Sequence, residues 1–440
     1  MTISRDLLRA KLAESLAIPL RSLTRRDAHV PGLPGKALAV IGVRRGGKTS
    51  FLRHRMAERV AAGKPRESQL LVSLEDERLE GIEATDLGWL LEEHVRQYPF
   101  LWDSGAVAVY LDEVQVVPGW ETLVRRLVDR GDVELHVSGS SAKLLSREVA
   151  TSLRGRALEV LIHPFSFREA LRHQGMEPTT RWDRLSPDER LVLGRRLRLY
   201  LDEGGFPEAQ GTERRDRNAL LQGYVDVMVL RDVVDRHQVS NPVALRWLVR
   251  HLLSTPGGNF SVKKLYDALQ SQGVPVGKDT LHEYLDHLID AFLIRTTAMH
   301  SASERQRMVN PRKVYPVDPG LIPLYERTGR EHRGRALETV VLLELERRGY
   351  SSDWMRTDEG WEVDFFAQRA GDTPLLVQVS LDTAADDTWD REVRALVAAS
   401  RAQPEADAML VTLDAAPPLR DLPSPLRWQS APQWLLDAEE

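Results

Sequence analysis

KALAVIGVRRGGKTSFL, residues 36–52, joins an apolar run to a glycine-rich turn and then to the start of a helical pattern. The run has no polar alternation, which suits a strand buried on both faces of a parallel sheet. Gly42-Val43-Arg44-Arg45-Gly46-Gly47-Lys48-Thr49 fits the phosphate-loop spacing G-x-x-x-x-G-K-[ST]. Glycines at Gly42, Gly46 and Gly47 let backbone N–H groups turn inward around phosphate oxygens, and a helix starting at Lys48 adds its positive N-terminal end. Lys48 would then reach the β- and γ-phosphates of ATP and Thr49 would ligate Mg2+, with Arg45 and Ser50 in the same loop. The plain alternative is a glycine-rich strand-to-helix turn with a surface lysine.

Such a loop needs an acidic strand, and VAVYLDEVQ, residues 107–115, supplies one. Asp112 closes its apolar run, at the carboxyl edge where ligands bind in open α/β sheets. Asp112 is expected to hold Mg2+ through water, and Glu113 to orient the attacking water or accept its proton. The next run, VELHVSGSS, ends in Ser138 and Ser140, which suit either sensing of the γ-phosphate or capping of the following helix AKLLSREVATSL. Arg154 and Arg156, in LRGR, are placed either as a finger reaching a neighbouring subunit's nucleotide or as solvated surface arginines.

Apolar runs alternating with helical patterns through the first third predict a parallel α/β core. From about residue 167 to 292 the pattern is almost wholly helical, interrupted by turns near Gly204 and Gly257. From about residue 334 helices and strands mix again, as in a separate small α/β unit. Between these, helical patterns at 243–253, 262–270 and 279–291 followed by FLIRTT fit a helix-turn-helix with a strand behind it. The third helix carries Asp279, Glu283, Asp286 and Asp290, so it is a poor reader of a DNA groove. SERQRMVNPRK places Arg305, Arg307, Arg312 and Lys313 where a wing would project, either to touch DNA or as a solvated basic hairpin.

With 440 residues, 42% hydrophobic and 28% charged, the chain has material for more than one core. No window is apolar enough for a membrane span, and the start reads as an amphipathic helix, so a cytoplasmic protein is expected. The absence of cysteine excludes disulfides and thiolate metal sites. A formal net charge of -5 means that any nucleic-acid contact needs a local basic patch.

The order of these motifs resembles the AAA+ ATPases. GVRRGGKTSFL, YLDEVQVVPGWE, VSGSSAKLLSREVATSLRGR, HPFSFREAL and EGGFPEA are similar to the prokaryotic AAA ATPases that carry a C-terminal DUF4143 region. The resemblance implies ATP binding, a winged helix and a tail similar to PD-(D/E)xK nucleases. On that pattern Glu338, Asp364, Gln378 and Ser380 form the tail site, but Gln378 stands for the second acid and Ser380 for the lysine. Cleavage is therefore not expected. The chain reads as a helical leader over 1–35, a P-loop AAA+ core over 36–170, a helical lid over 171–242, a winged helix over 243–325 and a restriction-endonuclease-like α/β domain over 330–440. Arg231 is a weak sensor candidate in the lid. The expected function is an ATPase working on DNA as a homo-oligomeric ring, a hexamer being one form. The alternatives are an ATP-gated, magnesium-dependent nuclease and a nucleotide switch acting on a protein partner.

Overall fold

The computed structural model describes residues 3–140, 153, 155–301, 303, 305, 311–326, 332–381, 386–414, 417–418 and 420–437. The chain divides into two compact units, one of Met1–His163 with Asp290–Phe292, the other of Pro164–Ile289 with Leu293–Glu440. Among the described residues no helix is long and apolar enough to cross a membrane.

The first unit is built on a five-stranded parallel sheet: β1 Ala37–Ile41, β2 Gln69–Ser73, β3 Ala108–Asp112, β4 Glu134–Gly139 and β5 Ala157–Leu161, in the order β2-β3-β4-β1-β5. β1 and β3 are buried at every residue, as their unbroken apolar runs require. Crossover order inserts β4 between the strand of the glycine loop and the acidic strand, so Ser138 stands between their ends. The leader packs by its helix Arg5–Ala17, which is capped by Ser4 and buries Leu8, Lys11, Leu12 and Ser15 along one face. The Ser15 hydroxyl accepts from the Leu71 N–H at 2.9 Å, which fixes the helix against β2. The expected helix AKLLSREVATSL lies outside the described residues apart from Leu153.

The second unit combines helices with two sheets. Helices Phe167–His173, Pro187–Glu203 and Arg214–Val227 come first, the last continuing as a π-helix over Met228–Asp235. Helix Pro242–Ser254, β6 Asn259–Phe260, helices Val262–Ser271 and Lys278–Asp290, β7 Ile294–Thr297 and β8 Arg312–Pro316 follow in order. Strands β6, β8 and β7 pair antiparallel into a small sheet. The tail sheet runs β13-β12-β11-β10-β9, with β9 Ser351–Arg356, β10 Glu362–Gln368, β11 Leu375–Ser380, β12 Asp407–Thr412 and β13 Arg427–Ser430. β9, β10 and β11 form an antiparallel meander, and helix Asp386–Ala402 then carries the chain over to the parallel strands β12 and β13.

Helices that read as a lid and strands that read as a separate tail share one core. Phe167, Leu197 and Leu201 pack in the same cluster as Leu337, Val341, Phe365, Val377 and Val411. The opposite face of the sheet is covered by Trp389 and Leu396, with Val363, Phe366, Leu376 and Leu410 beneath. The pairing of β9 with β10 shifts register between Val363 and Phe366. That irregularity leaves Val363 and Phe366, three residues apart, on one face of the sheet, with Phe365 on the other.

Leu197 is fully buried in the shared core. Leu197→Ala should lower stability by about 2–5 kcal/mol. Hydrogen exchange should show helix Pro187–Glu203 and strands β10 and β11 losing protection together. Loss confined to the helix would mean that the two do not form one cooperative unit.

Candidate functional site

The site is assembled where β1, β3 and β4 end. Gly42 has φ 144°, and a Cβ there would lie 2.1 Å from the Ile162 carbonyl oxygen. No other residue can make that turn so close to the neighbouring strand. Gly47, at φ 103°, starts the helix Lys48–Ala61 with no side-chain cap. The first helical N–H groups are therefore left to a ligand, and an anion is what such an end favours.

Lys48 is 5% exposed. Its ammonium donates to the carbonyls of Gly42 and Val43 at 3.1 and 3.3 Å and pairs with Glu113 Oε1 at 3.5 Å. The Thr49 hydroxyl donates to Asp112 Oδ2 at 2.7 Å, and the Ser138 hydroxyl to Asp112 Oδ1 at 2.5 Å. The same Ser138 oxygen accepts from the Glu113 N–H at 3.1 Å, so one serine ties both acids in place. The Gln115 amide donates to Glu113 Oε2 at 2.6 Å. Glu113 adopts φ 57°, a left-handed conformation that a non-glycine residue holds only when its surroundings enforce it.

The two acids are tuned differently. Burial pushes Asp112 above the usual carboxylate range, against the pull of the Ser138 and Thr49 hydroxyls. Burial pushes Glu113 the same way, but the Lys48 charge, the Gln115 amide and Arg44 outweigh it and hold that carboxyl low. Glu113 is thus ionised at neutral pH, as a proton acceptor must be. Thr49 and Asp112 offer a hydroxyl and a carboxylate side by side, hard oxygen donors suited to magnesium.

A family model for the AAA domain matches residues 34–171. A relative in Methanocaldococcus jannaschii is 30% identical over 374 residues, 84% of this chain and 80% of its own length. The chain belongs to one family with that relative and carries an AAA domain. A second relative, in Haemophilus influenzae, is 30% identical over 347 residues, 78% of this chain and 82% of its own. Both relatives are uncharacterized proteins. A Walker-type ATPase of Pyrococcus abyssi matches 74% of this chain and 96% of its own at 16% identity and TM-score 0.41. Residues 194–329 match a domain of unknown function, DUF8612, in place of the DUF4143 region that the resemblance implied.

Other expected residues of the AAA core are placed less simply. The Ser140 hydroxyl is buried and has no hydrogen-bond partner among the described residues, whereas Ser138 bonds to both acids. Arg156 is half-exposed and pairs with Asp129 of its own chain at 2.6 Å. Arg154 lies outside the described residues. Arg45 and Ser50 are exposed on the loop and the first helical turn, and Arg231 is exposed on the π-helix. Arg26, which no motif marks, donates from its guanidinium to the Gly46 carbonyl at 3.0 Å and to the His163 carbonyl. Its segment has no regular structure, and only the fold brings it to the glycine loop.

In the second unit the expected DNA surface loses a member. Lys313 is 2% exposed, and its ammonium lies 2.8 Å from Glu362, 3.3 Å from Asp364 and 3.4 Å from Glu338. A lysine so enclosed cannot touch phosphate, and its place as a wing contact is withdrawn. Arg305 is exposed and Arg312 half-exposed, while Arg307 lies outside the described residues. Glu338, Asp364 and Gln378 do come together, and Ser380 is buried at the end of β11. The Gln378 side chain is taken up by its neighbours. Its Oε1 accepts from the Asp364 N–H at 3.3 Å, and its amide donates to Asp364 at 3.0 Å and to Glu392 at 2.5 Å. Burial and the charge of Asp364 push Glu338 up to about 7, with Lys313 and Tyr315 pulling the other way.

Arg26→Ala should weaken ATP binding roughly 10- to 100-fold, the range for losing a charged hydrogen bond to the loop, without changing the melting temperature by more than a few degrees. Calorimetric titration with ATP checks it. Unchanged affinity would show that Arg26 only fastens the leader.

Proposed function

We propose that the chain binds ATP at the Lys48 loop and hydrolyses it with Glu113 as the base. The carrying observation is the buried Lys48–Glu113 pair beside the Thr49–Asp112 pair, with Ser138 bridging both acids. Without nucleotide, Lys48 satisfies its charge on Glu113 and two loop carbonyls. The γ-phosphate is a stronger partner, so ATP draws the ammonium away and leaves Glu113 ionised and facing the attacking water. Gln115 keeps hold of one carboxylate oxygen, which leaves the other to accept the proton. Thr49 and Asp112 would hold magnesium, which would supply positive charge to the phosphates. Asp112 and Glu113 thus divide the metal and the proton between them.

The finer reading is a homo-oligomeric AAA+ ring acting on DNA, with Arg154 or Arg156 reaching a neighbour's nucleotide. The helix–strand–helix–helix–strand–strand order of residues 242–316 supports a winged helix as the DNA-facing module. Exposed Arg305 and half-exposed Arg312 remain its phosphate contacts. The tail is proposed to have no cleavage activity, because Gln378 and Ser380 stand where an acid and a lysine would be needed.

Lys48→Ala should lose tight ATP binding. Glu113→Gln should bind ATP and turn over about 100- to 10,000-fold more slowly than the parent. Wild-type turnover in Glu113→Gln would move the base elsewhere. Steady-state hydrolysis with and without duplex DNA tests the partner: stimulation that is lost in Arg305→Ala/Arg312→Ala supports DNA, and no stimulation favours a switch acting on a protein.

A further inference from the structure

We infer that Lys313 is the resident cation of the tail's carboxylate nest, seated where a divalent metal would otherwise sit, and that the tail therefore needs and binds no metal. Three carboxylates from separate places converge on one ammonium: Glu338 from helix Arg333–Arg347, and Glu362 and Asp364 from β10. Lys313 comes from another sheet, on β8, and its side chain is 3% exposed.

The surroundings are shaped for this arrangement. Trp354 of β9 lies 5.9 Å from the Lys313 nitrogen and covers it with an aromatic face. The Trp354 backbone pairs with Ala298 and His300, which extends the small sheet alongside β9. The Tyr315 hydroxyl donates to Glu338 at 2.7 Å. A Cβ on Gly257 would lie 2.8 Å from Glu338 Oε2, so a larger residue there would push that carboxylate aside. On the far side, Gln378 and the Val379 N–H donate to Asp364 at 3.0 Å each.

A magnesium ion asks for oxygen ligands at about 2.0–2.1 Å in octahedral geometry. Here the ammonium occupies the space between the acids, the one amide in reach presents its N–H groups, and among the described residues no His, Asp or Glu group has metal-holding geometry. The residues present do not fit the metal that a nuclease-like tail implies. A lysine does for charge what the ion would do, and because it is covalently part of β8 it also ties the small sheet to the tail sheet.

The test uses the full chain without nucleotide and Mn2+ as the probe, followed by the electron paramagnetic resonance of free Mn2+ and by thermal melting. Wild type should bind no Mn2+ that Asp364→Asn removes, and Mn2+ should not raise its melting temperature. Lys313→Met should gain a single bound Mn2+ per chain, lost again in Lys313→Met/Asp364→Asn, and Mn2+ should raise its melting temperature. Lys313→Gln provides a second variant if methionine prevents folding. Asp364-dependent Mn2+ in wild type overturns the inference. So does a folded Lys313 variant that gains none, or failure of both variants to fold with or without Mn2+.

Discussion

A buried ammonium must find negative charge or carbonyl oxygen, and Lys48 finds both in Glu113 and the Gly42–Val43 carbonyls. That pairing depends on strand order. With β4 inserted between β1 and β3, the glycine loop and the acidic strand stand one strand apart, and Ser138 fills the interval with a hydroxyl that both acids use. The unusual backbone of Glu113 follows from the same arrangement, since its N–H must reach Ser138 while its carboxylate reaches Lys48.

Lys313 gives the second unit a buried lysine of its own, and the two ammonium groups are held differently. Lys48 is held by one carboxylate and two neutral carbonyls in a loop whose helix end is uncapped, so a phosphate can replace the carboxylate. Lys313 is held by three carboxylates beneath Trp354, and charges of Asp364, Glu338 and Glu362 keep it protonated despite burial. On the proposed function, the first site exchanges its partner for phosphate, and the second keeps its own.

The AAA core was readable because its chemistry is local. The loop from Gly42 to Thr49 and the acids at the end of β3 declare themselves within a few residues, and unbroken apolar runs mark the buried strands, whereas Ser138 and Ser140 are told apart only by the hydrogen bonds of Ser138 to the two acids. Arg26 was not readable, for nothing in an irregular leader says which loop it will cross. Lys313 was misread because its neighbours Arg305, Arg307 and Arg312 make a basic segment, whereas its partners lie 25 to 51 residues away. One signal was available: Lys313 opens the apolar run KVYPV, whose residues 313–316 lie buried in β8, and a lysine in such a run needs a buried partner. The core shared by Leu197 and Val377 was equally hidden, since periodicity tells which face is apolar and not what covers it.

The most direct test of the account is a crystal structure of the full chain with magnesium and a non-hydrolysable ATP analogue, read at one distance. The account predicts that the Lys48 nitrogen leaves Glu113 for the β- and γ-phosphate oxygens, with Glu113 still held by Gln115 and turned toward an ordered water. Nucleotide bound in the loop while Lys48 stays on Glu113 at its present 3.5 Å would contradict it.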